Sequence, residues 1–232
     1  MIDFYFSATP NGWKVGIMLE ECGLDYTTHL MRLTEGDQFK PEFLKINPNA
    51  KMPAILDHGV DGEPVPVFES GAILLYLAEK TGKFAPTDAM GRKELHEWLF
   101  WQVGNLGPMA GQYSHFRNYA PKSETYGFNR YKGEYQRCLK VLDNRLSNRE
   151  FILGEYSIAD MISFPWVLIA KAIDCPLDDF PHLSRWRAAI KERPAVRKAV
   201  DLHRNTQNHG QTAETNNVLF NQDASHLKSV EN

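Results

Sequence analysis

Lys51-Met52-Pro53-Ala54-Ile55 and, sixteen residues after that proline, Glu69-Ser70-Gly71-Ala72-Ile73 have the chemistry of a receptor for a small peptide. A proline that opens the apolar run Ala54-Ile55-Leu56 can hold a cis bond. That bond would turn the amide and carbonyl of Met52 outward, unpaired by any strand, where an extended peptide can pair with them. Glu69-Ser70 ends the β-like run Val65 to Phe68 and opens an apolar helix. Ser70 can cap that helix, free amides and the helix dipole favour a carboxylate at the same place, and Glu69 can hold an ammonium. An α-amino acid head group carries both charges on one carbon, so an acid beside a helix N-terminus is a matched pair of sites. Each turn also has an ordinary reading, as an X-Pro turn and a helix cap, and it is their joint occurrence at this separation that favours the receptor.

The elements that must position these turns alternate in type. Strand Ile2 to Phe6, helix Gly12 to Cys22, strand Tyr26 to Leu33, helix Phe39 to Ile46, strands Ala54 to Asp57 and Val65 to Phe68, and helix Ser70 to Thr81 predict a small α/β unit with a mixed sheet over residues 1–81. Residues 82–89, with Gly82 and Pro86, read as a linker. The periodic segments beyond it, Arg92 to Gln102, Glu124 to Leu146, Ile158 to Ile173 and His182 to Glu192, predict an all-α domain over 90–203. Gly104, Gly107, Pro108 and Gly111 interrupt that pattern, which predicts either a bend or unwinding that opens a cleft, or a loop between two shorter helices. Ser157-Ile158-Ala159-Asp160 reads as a capping box, with Asp in place of the usual Glu, ahead of the very apolar run Met161 to Ala170. Its role is in folding. Residues 204–232 read as an extended or mobile tail, since nine of the last twenty-eight residues are Asn or Gln and Val218-Leu219-Phe220 is the one apolar cluster. That cluster could instead pack over a cleft or a partner subunit.

Composition narrows the function. With 232 residues and 43% hydrophobic content the chain can bury a sizeable core, and a formal net charge of -3 with no basic stripe argues against a nucleic-acid or membrane-surface partner. The longest apolar stretches are too short to span a bilayer, and Met1 runs directly into Ile2-Asp3-Phe4 without the pattern of a signal peptide, so the expected location is cytoplasmic. Cys22, Cys138 and Cys175 lie far apart with no C-x-x-C, predicting reduced, buried thiols, and the eight histidines form no ligand pair, so no metal is expected.

Taken together, the α/β unit, the proline after the second crossover, the Glu-Ser helix start, the all-α domain and the Ser-x-x-Asp box resemble the cytosolic glutathione transferases, over residues 1 to about 203. Ala8-Thr9-Pro10-Asn11-Gly12, Asn47 to Ile55, Phe68 to Leu77 and Trp98-Leu99-Phe100-Trp101-Gln102-Val103-Gly104 are similar to the nu class. That branch includes bacterial glutathione-dependent disulfide reductases and is related to a fungal nitrogen regulator. The resemblance implies a thioredoxin-like N-terminal domain, an all-α C-terminal domain, a homodimer, and an active site completed by the partner chain. It implies that Gln38 and Lys51 face the glycine carboxylate of glutathione, Met52 before Pro53 the cysteinyl backbone, and Glu69 with Ser70 the γ-glutamyl end. Arg130 matches an arginine that reaches across the dimer to a glutathione carboxylate or a second glutathione.

In that layout the chemistry sits after the first strand, at Ser7-Ala8-Thr9-Pro10-Asn11-Gly12. A redox protein often places a C-x-x-C there, but here the turn has neither cysteine nor tyrosine, so an attacking thiol has to come from bound glutathione. The Thr9 hydroxyl, the Asn11 side chain and a helix N-terminus can all favour a thiolate. Lowering a thiol pKa from about 8.5 to about 7 costs about 2 kcal/mol, which is within the roughly 1.5–3 kcal/mol of one hydrogen bond to a charged acceptor. Thr9-Pro10-Asn11-Gly12 also suit an ordinary helix entry.

Three functions are consistent with these residues. The first is a glutathione-dependent disulfide oxidoreductase, holding glutathione as two reduced molecules or as the oxidised form. The second is conjugation of glutathione to a small electrophile or reduction of a peroxide, with Trp13, Trp101, Tyr113 and Phe116 as an apolar wall. The third is a non-catalytic glutathione-binding regulator.

Overall fold

A computed structural model describes residues 1–202, 213–220 and 222–227, which form two compact units. The first holds residues 1–77 together with the chain from Lys198 onward, and the second holds 78–197.

The first unit is built on a four-stranded mixed sheet of order β2-β1-β3-β4. Strand β1, Ile2–Phe6, pairs in parallel with β2, Tyr26–Leu30, and antiparallel with β3, Ala54–Asp57; β4, Val65–Phe68, closes the edge antiparallel to β3. Ile2, Phe4 and Phe6 alternate inward and are buried, as the period of two requires. The parallel β1–β2 pair needs a crossover, which is helix α1, Pro10–Cys22. Val15, Met18 and Leu19 of α1 are fully buried, as are Ile73, Leu74 and Leu77 of helix α3, Ser70–Thr81.

Two sequence expectations need correction in this unit. Strand β2 stops at Leu30, because the Arg32 amide donates to the Asp37 carboxylate at 2.9 Å and the chain turns into a 3-10 segment, Leu33–Glu35. The predicted helix Phe39 to Ile46 is divided into a 3-10 turn, Asp37–Phe39, and a four-residue helix α2, Pro41–Leu44. Lys40 between them is extended (φ -67°, ψ 139°), the conformation that a following proline imposes.

The second unit is helical: α4 Ala89–Trp101, α5 Gly107–Asn118, α6 Thr125–Arg145, α7 Ile158–Leu168 and α8 Pro181–Lys191. Helix α9, Pro194–Asp201, leads the chain back into the first unit. The unwinding or loop expected at Gly104–Gly111 does not form. A π-helical turn, Gln102–Leu106, carries α4 into α5, and the Gly107 amide donates to the Gln102 carbonyl. This wider turn leaves Pro108 in the first turn of α5, where its missing N–H has no partner to lose. The capping box at Ser157 and Asp160 is present, and α7 is buried from Ile158 to Val167. Within the tail read as extended, Ala213–Phe220 form a helix, α10, packed on Leu33–Glu35. Residue 203 and, within that tail, residues 204–212, 221 and 228–232 lie outside the described residues.

No helix among the described residues is long and apolar enough to cross a membrane, and no cluster of three His, Cys, Asp or Glu among them could hold a metal ion.

Candidate glutathione site

Thr9 is the N-cap of α1, in extended conformation (φ -127°, ψ 161°). Its hydroxyl accepts from the Gly12 amide and donates to the Ser7 carbonyl, both at 3.4 Å, so it is held loosely and can turn toward another acceptor. Pro10-Asn11-Gly12-Trp13, the first turn, carries neutral side chains, so no acid offsets the positive end of the dipole. Gly12 is needed for this close approach to the end of β1. A Cβ there would lie 2.3 Å from the Ser7 carbonyl and 2.8 Å from the Phe6 ring. Cys138 and Cys175 are buried as expected, but Cys22, at the far end of α1, is only half-buried; none of the three is in a disulfide, and none belongs to this turn.

The Met52-Pro53 bond is cis, as the sequence predicts. Among the described residues, neither the Met52 amide nor its carbonyl has a hydrogen-bond partner, leaving both available to an extended peptide. Asn47, 1% exposed, shapes the loop that leads there: its amide donates to the Lys51 carbonyl at 2.7 Å and its oxygen accepts from the Asn49 amide at 2.9 Å. Ala50 adopts φ 53° within this loop.

Ser70 is the first residue of α3, not the residue before it. Glu69 precedes the helix with φ 67°, and its carbonyl accepts the first helical bond, from the Ile73 amide at 2.9 Å. A non-glycine residue in the left-handed region is held there by its surroundings and is a common mark of a binding site. The Ser70 hydroxyl does not act as the expected cap acceptor; it accepts from Lys14 Nζ at 3.3 Å. Lys14 is 2% exposed. Burial pushes its pKa down to about 7, against the attraction of the Glu69 carboxylate. Glu69 itself is exposed and accepts from Asn49 at 3.5 Å.

Gln38 sits in the Asp37–Phe39 turn, 2% exposed, with its amide nitrogen on the Leu33 carbonyl at 3.3 Å and its buried oxygen unpartnered among the described residues. Its neighbour Asp37 accepts from the Arg32 amide and guanidinium and pairs with Lys40 at 2.6 Å. Burial works against the Asp37 charge, but Lys40 and Arg32 outweigh it and hold the carboxyl down at about 2, fixing the turn that presents Gln38. Lys51 is exposed, and its ammonium donates to the Gln222 side chain at 2.8 Å.

Contacts thus run from the α1 N-terminus through Lys14 and Ser70 to Glu69 and Asn49, and through Asn47 to Lys51. Lys14, Asn47 and Asn49 of this set, and Gln222 beside Lys51, escaped the sequence reading. Lys14 could have been found as a lone charge in the apolar run of α1, and Asn47 as the side chain that shapes an Asn-Pro-Asn turn. Gln222 had no local signal. Arg130 belongs to the helical unit, exposed on α6 and without an ion pair among the described residues. Tyr113, expected in an apolar wall, is fully buried between the rings of Tyr135 and Phe128 at 5.9 and 5.5 Å. It is core.

Comparison with known proteins agrees with this geometry. Residues 8–80 match the glutathione S-transferase N-terminal domain model and residues 115–194 the C-terminal domain model. The chain is 49% identical over 203 residues to disulfide-bond oxidoreductase YfcG of Escherichia coli, covering 86% of this chain and 94% of that protein. Among solved structures, a glutathione transferase of Burkholderia graminis with two glutathione molecules bound per subunit is 47% identical, covers 88% of each chain and superposes with a TM-score of 0.83. One from Pseudomonas putida, with one glutathione disulfide bound per subunit, is 41% identical, covers 87% of this chain and 91% of its own, and has a TM-score of 0.80. The two domain matches, a relative aligned over nearly its whole length and the shared arrangement of sheet and helices show that this chain belongs to the glutathione S-transferase family.

Proposed function

We propose that the chain is a glutathione-dependent disulfide-bond reductase of the nu class, acting as a cytoplasmic homodimer. The observation that carries this reading is the Thr9-Pro10-Asn11 turn: a helix N-terminus lined with neutral donors, in the thioredoxin-like position for thiol chemistry, and without a thiol of its own. In this reading bound glutathione supplies the nucleophile. Gln38 and Lys51 hold its glycine carboxylate, the Met52 backbone before cis Pro53 pairs with its cysteinyl residue, and Glu69 with Ser70 receives its γ-glutamyl head group.

The reaction balances without a cysteine from the protein. The glutathione thiolate, favoured by Thr9, Asn11 and the α1 dipole, attacks one sulfur of a small disulfide and expels the other as a thiolate, which takes up a proton. A second glutathione thiolate attacks the mixed disulfide, releasing the second thiol and oxidised glutathione. Arg130, exposed and without an ion pair among the described residues, suits a carboxylate of glutathione bound to the partner subunit. The names of the relatives support the reaction, and the two solved neighbours hold its reactant and product forms, two glutathiones in one and glutathione disulfide in the other. Met90 and Phe100 on α4, 71% and 69% exposed, suit the apolar patch of a dimer interface.

Turnover of hydroxyethyl disulfide by the purified protein with reduced glutathione, compared with turnover of an aryl halide, tests the proposal. Disulfide reduction should dominate. Activity no greater than conjugation would overturn it, and absence of both with retained glutathione binding would identify a regulator.

A further inference from the structure

The chain after α9 returns to the edge of the site. Helix α10 packs on Leu33–Glu35, and the His226 ring lies 5.0 Å from that of Phe39. Between these contacts, Gln222 closes the C-terminal end of α10: its amide nitrogen donates to the Val218 and Leu219 carbonyls at 3.1 and 3.2 Å. With both contacts made by the nitrogen, the side-chain oxygen is left to face outward, and it accepts from Lys51 Nζ at 2.8 Å. The tail therefore touches the residues on either side of Gln38 and holds the ammonium of Lys51, the two side chains assigned above to the glycine carboxylate.

We propose that Gln222 sets the affinity of the glutathione site by competing internally for Lys51, so that the glycyl carboxylate must displace it to bind. The inference rests on the assignment of Lys51 to that carboxylate. A carboxylate is the stronger partner for an ammonium than a neutral amide oxygen, so the ligand wins the exchange. It gives up part of its binding free energy in doing so, and because the amide also anchors the end of α10, displacement loosens the tail from Leu33–Glu35 and Phe39. The contact is exposed, which keeps the effect moderate. A solvent-exposed hydrogen bond from an ammonium to an amide oxygen corresponds to about three- to tenfold in an equilibrium constant.

Calorimetric titration of the full chain with glutathione, and with its glycyl ethyl ester, which lacks the competing carboxylate, tests the idea. Gln222→Ala should tighten glutathione by about three- to tenfold and Gln222→Glu, which offers Lys51 a permanent carboxylate, should weaken it by at least as much. Binding of the ester should change little in either variant, and Lys51→Met should remove both effects. If Gln222→Ala leaves glutathione affinity unchanged or lower while Lys51→Met still weakens it, the competition is refuted. If Lys51→Met has no effect and wild type binds the ester as well as glutathione, the underlying assignment of Lys51 fails, and the inference with it.

Discussion

Lys14 Nζ lies 3.3 Å from Ser70 Oγ, so the helix that carries Thr9 and Asn11 is fastened to the helix that opens at the Glu69-Ser70 turn by a buried lysine. This is an unusual place for a cation. Lys14 sits near the positive end of α1, its hydroxyl partner sits at the positive end of α3, and burial disfavours its charge further. These terms act in the direction of the lowered pKa, about 7, which burial dominates and the Glu69 carboxylate opposes. The lysine is therefore poised near neutrality between a charged and a neutral form, directly behind the turn assigned to the γ-glutamyl carboxylate.

A stability difference should follow from this. In the unfolded chain Lys14 keeps its proton up to a pKa of 10.5, whereas in the folded chain it loses it above about 7. Between those values unfolding takes up a proton, so this residue makes stability rise with pH, by at most about 1.4 kcal/mol per unit. Denaturant unfolding of wild type and Lys14→Met at pH 7, 8 and 9 should show the wild type gaining on the variant at each step. Parallel stabilities across that range would mean that Lys14 remains charged in the folded protein.

The same group should couple glutathione binding to protons. A carboxylate arriving at the α3 N-terminus favours the charged lysine and raises its pKa, so at pH 8 binding should be accompanied by proton uptake. Calorimetry in buffers of different ionisation enthalpy measures that uptake. It should fall to the level of the remaining groups in Lys14→Met, and a variant with the wild-type proton count would show that the carboxylate does not reach Lys14.

Thr9 and Asn11 are expected to act on the thiol and not on the tripeptide as a whole. Each side chain able to donate to a thiolate contributes about 1.5 kcal/mol, so Thr9→Ala or Asn11→Ala should lower disulfide turnover about tenfold and raise the pKa of bound glutathione by about one unit. The double variant should lose about a hundredfold. Thr9→Ala should also cost about 1 kcal/mol of stability, because the hydroxyl caps α1. Thiolate absorbance against pH reports the first effect and thermal unfolding the second. Loss of glutathione affinity with an unchanged turnover number would contradict these roles.

How much of this was legible in the sequence depended on the range of the interaction. The cis Met52-Pro53 turn and the Ser157–Asp160 box are written in neighbouring residues, and the strands announce themselves by alternation. A single lysine in an apolar helix reads as a solvated exception, and only the fold shows that Lys14 is buried with its ammonium on Ser70. Gln222 meets Lys51 across 171 residues of sequence, and no local pattern links them. The Gly104–Gly111 stretch misled in the opposite sense. Its residues disfavour a regular α-helix, but one π turn lets the chain accommodate them without leaving the helical path.

Asp160 gives the last prediction, in the helical unit. It is fully buried and accepts from the Ile152 amide at 2.9 Å, the Ser157 amide at 3.0 Å, the Ser157 hydroxyl at 3.2 Å and the Trp186 indole at 2.8 Å. One carboxylate thus starts α7, ties it to the chain before it and fastens α8 across it. Burial pushes its pKa up to about 6 in spite of these donors. The folded state therefore binds the proton more tightly than the unfolded chain, whose value is 3.8, so this group's contribution grows as pH falls through 6 toward 3.8. Asp160→Ala would strand four buried donors and should cost about 3–5 kcal/mol, whereas Asp160→Asn, which keeps one acceptor oxygen, should cost less. Thermal and denaturant unfolding of both variants measures the difference. An alanine variant no less stable than the asparagine one would show that the helical unit does not depend on this acceptor.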